Sequence, residues 1–412
     1  MKSLLYSAVM GAAAAVPAAP TIASAAPLSL AQTLELAVQR SKAVAAARAG
    51  ALASTQTARA AGQLPDPMLS VGIENLPVTG PDRMRTTAES MTMKRVGISQ
   101  EWVSAQKRAL RQASAMAMAE RESASALAAA AESRLQAALA FVDAFYASEA
   151  LVLTKLNERY ALEDFEAGKA RFASAGASSQ EVLQLTAARG VAGDDSAEVE
   201  QLHASALVTL QRWVGVRPDG LARPALPASL NEQAFVAAHP AVWQSQRDID
   251  LARAEAASVA SNRKPNWTWQ AAYGQRTGYA DMVSVGVNIP LAIAPGERQD
   301  QETAAKLALV DKAIAAHEES ARMAVAEFRA LTSDAHRLTQ RIAQYQSGVI
   351  TPVKQRVQAA LAGYRSNQVP LVALFEARYA EVQALRKLLD LQRDLAKVQA
   401  LLVFKPVSGG AQ

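Results

Sequence analysis

The chain has no cysteine in its 412 residues. That excludes a disulfide, a thiolate metal centre and a lipid-modified cysteine at a mature N-terminus. Aromatic residues are scarce, 5% of the total, although half of all residues are hydrophobic and alanine abounds. Such a composition favours long, closely packed helices over a core built on large rings. No solid basic block exists either: the net charge is +5, but Lys and Arg alternate with Asp and Glu. This argues against nucleic acid as a partner. Beyond the N-terminus there is no apolar run of transmembrane-helix length. If the chain crosses a membrane, β-strands in a closed barrel must make the crossing.

Convergent chemistry is missing as well. The four histidines, His203, His239, His317 and His336, are scattered with no i, i+4 pair. "HEE" at 317–319 reads as a solvated helix face, and "GDD" at 193–195 as an irregular surface segment in a polar break. The methionines do not cluster as a thioether relay would. Neither catalytic residues, nor a metal, nor a cofactor are expected.

What is present begins at the N-terminus. Lys2 precedes an apolar run too short to span a bilayer, and Ala-Ser-Ala stands at 23–25. This is the order of a secretory signal peptide, residues 1–25, cleaved after Ala25. The expected product is exported and is not a lipoprotein.

The remainder reads as two repeats, 26–213 and 229–404, joined by a Pro- and Gly-containing linker at 214–228 and followed by a tail at 405–412. Each repeat opens on one helical segment (29–61 or 229–262) and then has two short strands (65–74 and 93–102, or 265–274 and 282–290). A very long helix follows (106–174 or 297–366), then a break (175–183 or 367–375) and a shorter helix. Each long helix should run on the order of 100 Å, so two short helices stacked end to end can lie beside it. Coiled-coil spacing supports that packing at Leu388, Leu391, Leu395, Val398 and Leu402, and at Leu135, Val142, Phe145, Val152 and Leu156. A third seam contains Val325, Phe328, Ala335, Ile342 and Tyr345. On the helices alone an ordinary bundle would serve.

The strands favour a membrane. In "MLSVGIE", Leu69, Val71 and Ile73 share one face, against Ser70, Gly72 and Glu74 on the other. In "MVSVGVNIP", Val283, Val285, Val287 and Ile289 oppose Ser284, Gly286 and Asn288. This period of two is that of a barrel strand with lipid outside and water inside. Trp102, Trp267, Trp269 and Tyr273 suit the aromatic belt at the membrane interface. A small soluble sheet is the competing reading. Four strands cannot close a barrel wide enough for a channel, so the membrane reading requires several copies.

At this point the chain resembles the TolC-type outer-membrane efflux family over nearly all of its mature length. "LPDPMLSVGIENLP" (64–77), "MTMKRVGISQE" (91–101), "KRALR" (107–111) and "AGYRSNQVPLVALFEAR" (362–378) resemble the branch that serves cobalt-zinc-cadmium and copper-silver pumps. The resemblance implies a mainly α fold with a small β part. Each of three copies would give four strands to a twelve-stranded outer-membrane β-barrel, continued by a periplasmic α-barrel of coiled-coil-like helices. It further implies a homotrimer in the outer membrane of a Gram-negative bacterium, set among outer-membrane lipid. Its partners would be a periplasmic membrane-fusion adaptor and an inner-membrane pump of the resistance-nodulation-division (RND) class. The chain would be the passive exit duct for heavy-metal cations. The same duct could instead serve drugs, solvents or type I secretion, and a periplasmic helical scaffold without a pore is the rival from another class.

The family's adaptor-docking tips map here to Phe172, Ala175, Ser178 and Glu181, and to Tyr364, Asn367 and Pro370, with Ala373 where the pattern has an acid. Asn367 stands at a glycine position and tolerates a left-handed turn. Ala175 does so less well, and the neighbouring Gly176 is expected to take the turn. Just past the second tip some relatives carry a pair of acids ringing the periplasmic mouth. Of that pair this chain keeps Glu376 and has Ala373 in the other position, so a trimer would carry a single ring of three glutamates.

Overall fold

The computed structural model describes residues 27–174 and 176–407. The expected signal peptide lies outside these residues, as does the end of the tail. The first half runs α1 (Leu30–Arg40), α2 (Lys42–Ala61), β1 (Met68–Glu74), β2 (Met93–Trp102), α3 (Ala105–Ala173) and α4 (Ser179–Val214). The second runs α5 (Glu232–Ala237), α6 (Pro240–Ala260), a 3-10 turn (Ser261–Arg263), β3 (Trp267–Gln275) and β4 (Met282–Asn288). It continues as α7 (Gln299–Tyr345), a π-helical turn (Gln346–Ile350), α8 (Thr351–Arg365) and α9 (Leu371–Phe404).

Four expectations about where the helices begin and end need correction. The segment 29–61 is two helices, because Ser41 leaves the helix at ψ 114 and its hydroxyl caps α2, accepting from the Val44 amide at 3.3 Å. The segment 229–262 is likewise divided at Ala238 and His239, immediately before Pro240. Proline excludes the helical conformation from the residue before it. The second long helix is interrupted by the π-turn, which ends two residues before Pro352. Pro352 has no N–H to give, and the Thr351 amide instead reaches back five residues to the Gln346 carbonyl. "GDD" is not irregular: residues 193–195 lie inside the continuous α4.

The helices form a wall with α3 in the middle. Its first half packs on α2 and α6 and its second half on α4 and α9. Next in line come α7 beside α6, and α8 beside α9. Alanine at 130, 131, 137, 138, 140 and 144 lets these axes approach, and Phe141, Leu207 and Leu210 fill the core where α1, α3, α4 and α9 meet. α3 also corrects the expectation that no apolar run is long enough to span a membrane: by length and composition alone, it is. Leu135, Ala138, Phe141, Val142 and Ala144 of α3 are buried against protein instead. The coiled-coil seam expected on α3 is incomplete, with Val152 67% exposed.

Charged pairs tie the wall together. Arg121 meets Asp248 at 2.6 Å between α3 and α6, and Lys306 meets Glu255 at 2.7 Å between α7 and α6. Lys397 meets Asp143 at 2.8 Å between α9 and α3.

The four strands form one antiparallel sheet in the order β1-β2-β3-β4. Its two free edges continue the edges of the wall: β1 follows α2, and β4 leads into α7.

Candidate functional site

The register aligns the alternating faces across all four strands. Val71 lies opposite Val96, Val96 opposite Tyr273, and Tyr273 opposite Val283. Leu69, Ile98, Ala271 and Val285 form the next row. The resulting apolar face is open, with Val71 at 74% and Val285 at 80% exposure. A contiguous apolar patch of this kind marks a surface meant for lipid or protein. Trp102 and Trp267 lie opposite each other at the helical end, with Trp269 beside them. Tyr273 lies six residues along β3 from Trp267, roughly 20 Å away at strand spacing. The expected aromatics therefore stand at two heights on one face.

The other face carries Ser70, Gly97, Ala272 and Ser284 in one row, and Gly72, Arg95, Gly274 and Met282 in the next. Gly97, at the centre of its row, must stay small: a Cβ there would lie 2.9 Å from Ser70 Oγ and 3.0 Å from Ala272 Cβ, whereas Ser284 at the edge strand is exposed. Arg95 pairs with Glu74 on this face.

"KRALR" acts at the junction of sheet and wall. The Lys107 ammonium is buried and donates to the Lys264 carbonyl and to Asn266 Oδ1, both at 3.0 Å. Asn266 in turn donates to Glu101 at 2.7 Å, and Arg108 donates to the Gly62 carbonyl at 3.3 Å. Both chain segments that lead into a first strand are thus held to the start of α3. Burial pulls the Lys107 amine below its usual value, the charge of Arg111 adds to this, and Glu101 opposes.

At the far end of the wall the two helix breaks meet. Ser178 caps α4, its hydroxyl accepting from the Glu181 amide at 3.2 Å, and Pro370 stands at the N-cap of α9. Asn367 sits at φ 62, the left-handed conformation. Around it the Gln368 amide donates to the Gly363 carbonyl at 2.8 Å, and the Asn367 amide to that of Tyr364 at 3.0 Å. These two bonds are the Schellman closure of a helix. Gly363 leaves room for Val369, whose Cγ2 lies 3.0 Å from where a Cβ would stand. Ala175 is outside the described residues, so the expected left-handed turn there is not described; beside it the Gly176 amide donates to the Arg171 carbonyl at 2.7 Å. Arg171 joins the tips, pairing with Glu181 at 3.5 Å and lying 5.8 Å from the ring of Tyr364. Phe172 is exposed. Asn367→Ala should cost about 1 kcal/mol while Asn367→Gly should be tolerated, because only the former places a Cβ without local hydrogen bonding in the left-handed region. Thermal unfolding of the two variants checks this.

Glu376 is exposed on α9 and has no ion-pair partner among the described residues. The residues that sequence reasoning missed lie next to it. Arg378 holds Asp164 of α3 through contacts at 3.0 and 3.2 Å and lies 4.5 Å from the centre of the Tyr160 ring. The Asp164 side chain is only 7% exposed. Burial pushes its carboxyl above the usual carboxylate range, and Arg378 pulls the other way. Farther along α9, Arg386 reaches Glu198 at 3.3 Å and Gln383 donates to Asp195 at 2.8 Å, which gives part of "GDD" a helix-pairing role. His317 of "HEE" bonds through Nδ1 to the Ser245 hydroxyl at 3.0 Å, joining α7 to α6. No group of three potential metal ligands exists among the described residues.

No protein-family model matches the chain, and no curated protein is similar to it in sequence. Solved structures match over most of its length. The outer membrane channel CmeC of Campylobacter jejuni is 14% identical, with 93% of this chain and 87% of that one covered at a TM-score of 0.77. VceC, an outer membrane protein of Vibrio cholerae, is 15% identical, with 92% and 96% covered at 0.74. CusC, whose structures concern folding and transmembrane channel formation, is 13% identical, with 92% of each chain covered at 0.74. The chain has the fold of outer-membrane channels.

Proposed function

We propose that the chain is the outer-membrane exit duct of a tripartite efflux system. The observation that carries this reading is the sheet: one exposed face that is apolar apart from Lys94, Gln100 and Gln275, one face of mostly small and polar residues, and two unpaired edges. With four antiparallel strands, β1 and β4 run in opposite directions, so β4 of one copy can pair with β1 of the next. Such a head-to-tail contact generates a ring when the rotation closes. The wall edges favour the same contact, since Leu183, Val191, Leu202 and Val208 of α4 and Leu307, Leu309 and Met323 of α7 are exposed. Three copies, four strands each, would close a twelve-stranded barrel.

In this assembly the apolar face meets outer-membrane lipid, with Trp102, Trp267 and Trp269 at one interface and Tyr273 toward the other. The helical wall lines a tunnel across the periplasm. The tips, with Phe172, Ala175, Ser178, Glu181, Tyr364, Asn367 and Pro370, dock a periplasmic membrane-fusion adaptor, which connects to an inner-membrane RND pump. Glu376 rings the mouth. Heavy-metal cations are the cargo favoured by the resemblance of 64–77, 91–101 and 362–378 to the metal-exporting branch, and the pump supplies both energy and selection. Efflux complementation by Ser178→Arg and Pro370→Arg tests the docking. Both should lose efflux while still inserting as assembled barrels, and full complementation by both would contradict the assignment of the tips.

A further inference from the structure

A cleft of about 690 Å³ opens where α3 and α4 meet the segment joining the two halves. Lys155 and Arg159 of α3, His203 of α4 and Arg217 of the joining segment bring four basic groups to it, against the single carboxylate of Asp219. Its floor is apolar, made by Leu151, Leu221 and Leu207, the last only 6% exposed. A neighbouring groove shares Lys155 and Arg159 and continues along α3 and α4 to Arg189.

Two of the cations here are not used up by the fold. Elsewhere Arg121, Arg247, Arg378 and Arg386 each hold a carboxylate on another helix. Lys155 is shared by Glu158 at 3.2 Å and Glu200 at 3.4 Å, but Arg159 and Arg217 have no acidic partner within ion-pair distance among the described residues. Two guanidinium groups left to solvent around an apolar floor suit a planar anion with a hydrophobic body, since guanidinium matches carboxylate or phosphate through paired hydrogen bonds. His203 responds to the same field: burial lowers its pKa, Arg217 lowers it further, and Glu200 opposes.

We infer that this cleft binds an amphipathic organic anion, its carboxylate or phosphate held by Arg159 and Arg217 and its apolar body resting on Leu151, Leu207 and Leu221. This goes beyond the duct reading and is independent of it. A bound anion would offset the charge of Arg217 and let His203 take up a proton, which gives the test its signal.

The full chain, labelled with ¹³C-histidine and held in detergent micelles, is titrated near neutral pH with phenyl phosphate, phenylacetate, inorganic phosphate and benzyl alcohol. The His203 ring signal is assigned by its loss in His203→Gln. Phenyl phosphate or phenylacetate, or both, should shift this signal saturably toward the protonated position, and the tighter of the two identifies the anionic group. Inorganic phosphate should bind at least about tenfold more weakly and benzyl alcohol should leave the signal in place, because each lacks half of the recognition. Arg159→Gln and Arg217→Gln should each weaken binding by about tenfold, since each removes one charge-assisted hydrogen-bonding group, with an unchanged circular dichroism spectrum. The inference is overturned if neither organic anion gives a saturable shift, if benzyl alcohol gives the same one, or if both Arg variants bind as the native chain does. Equal affinity for inorganic phosphate would overturn the amphipathic assignment.

Discussion

Val285→Arg should prevent stable insertion of the chain into a bilayer, while Ser284→Arg, one residue away, should be tolerated. The two residues share a strand but not a face. Val285 stands 80% exposed in the row with Leu69, Ile98 and Ala271, whereas Ser284 lies opposite Ala272 on the face of small residues. An arginine on the lipid side of a barrel costs about 2–4 kcal/mol near the bilayer midplane, and the same residue toward the lumen is solvated. In a ring of several copies the cost recurs in each. Urea unfolding in lipid vesicles, together with the heat-modifiable gel mobility of folded barrels, measures the difference. Equal behaviour of the two variants would mean that the apolar face does not meet lipid.

Arg378→Ala should be the most damaging single change in the helical wall. It removes the partner of an aspartate whose side chain is 7% exposed, and an uncompensated buried charge costs about 3–5 kcal/mol. The sign of the pH dependence follows from burial. The Asp164 carboxyl already has a folded-state pKa raised above its unfolded value, and loss of Arg378, which pulls it down, must raise it further. A group with a raised pKa binds its proton more tightly in the folded state, so its contribution to stability is largest at acid pH and is lost as pH rises through the folded pKa. The variant should therefore recover stability on acidification through the carboxylate range. Asp164→Asn in the same chain should restore much of the loss at neutral pH, because a neutral amide is far cheaper to bury than an unpaired carboxylate. Denaturation midpoints for the single and double variants at two pH values decide this. A double variant as unstable as Arg378→Ala would show that the arginine acts through packing on Tyr160 rather than through charge.

β1 and β4 were legible because each has one apolar and one small or polar face, so the period of two stands in their sequence and fixes which side must be covered, whereas β2 is mixed, with Lys94 and Gln100 among Val96, Ile98 and Trp102. Asn367 was legible for a related reason: few residues other than glycine accept φ 62. The helix breaks were less so. Ser41 is compatible with a helix interior by composition, and only its role as a cap for α2 separates it from its neighbours. Pro352 carries the signal for the π-turn, yet proline in a long helical pattern predicts a disturbance without saying which kind. The pairings within the wall were not legible at all. Arg378 and Asp164 are 214 residues apart, and His317 and Ser245 are 72 apart. One sequence carries no record of which distant residues meet. Local spacing assigned "HEE" and "GDD" to solvent, although His317 and Asp195 each bond to a neighbouring helix.

The duct itself is tested most directly by planar-bilayer conductance of the purified mature protein, in a preparation verified as a trimer by native mass measurement. The account predicts discrete current steps, with a preference for cations that weakens in Glu376→Gln. A chain that stays a soluble monomer, inserts into no bilayer and passes no current would contradict it, and would favour a periplasmic helical scaffold in its place.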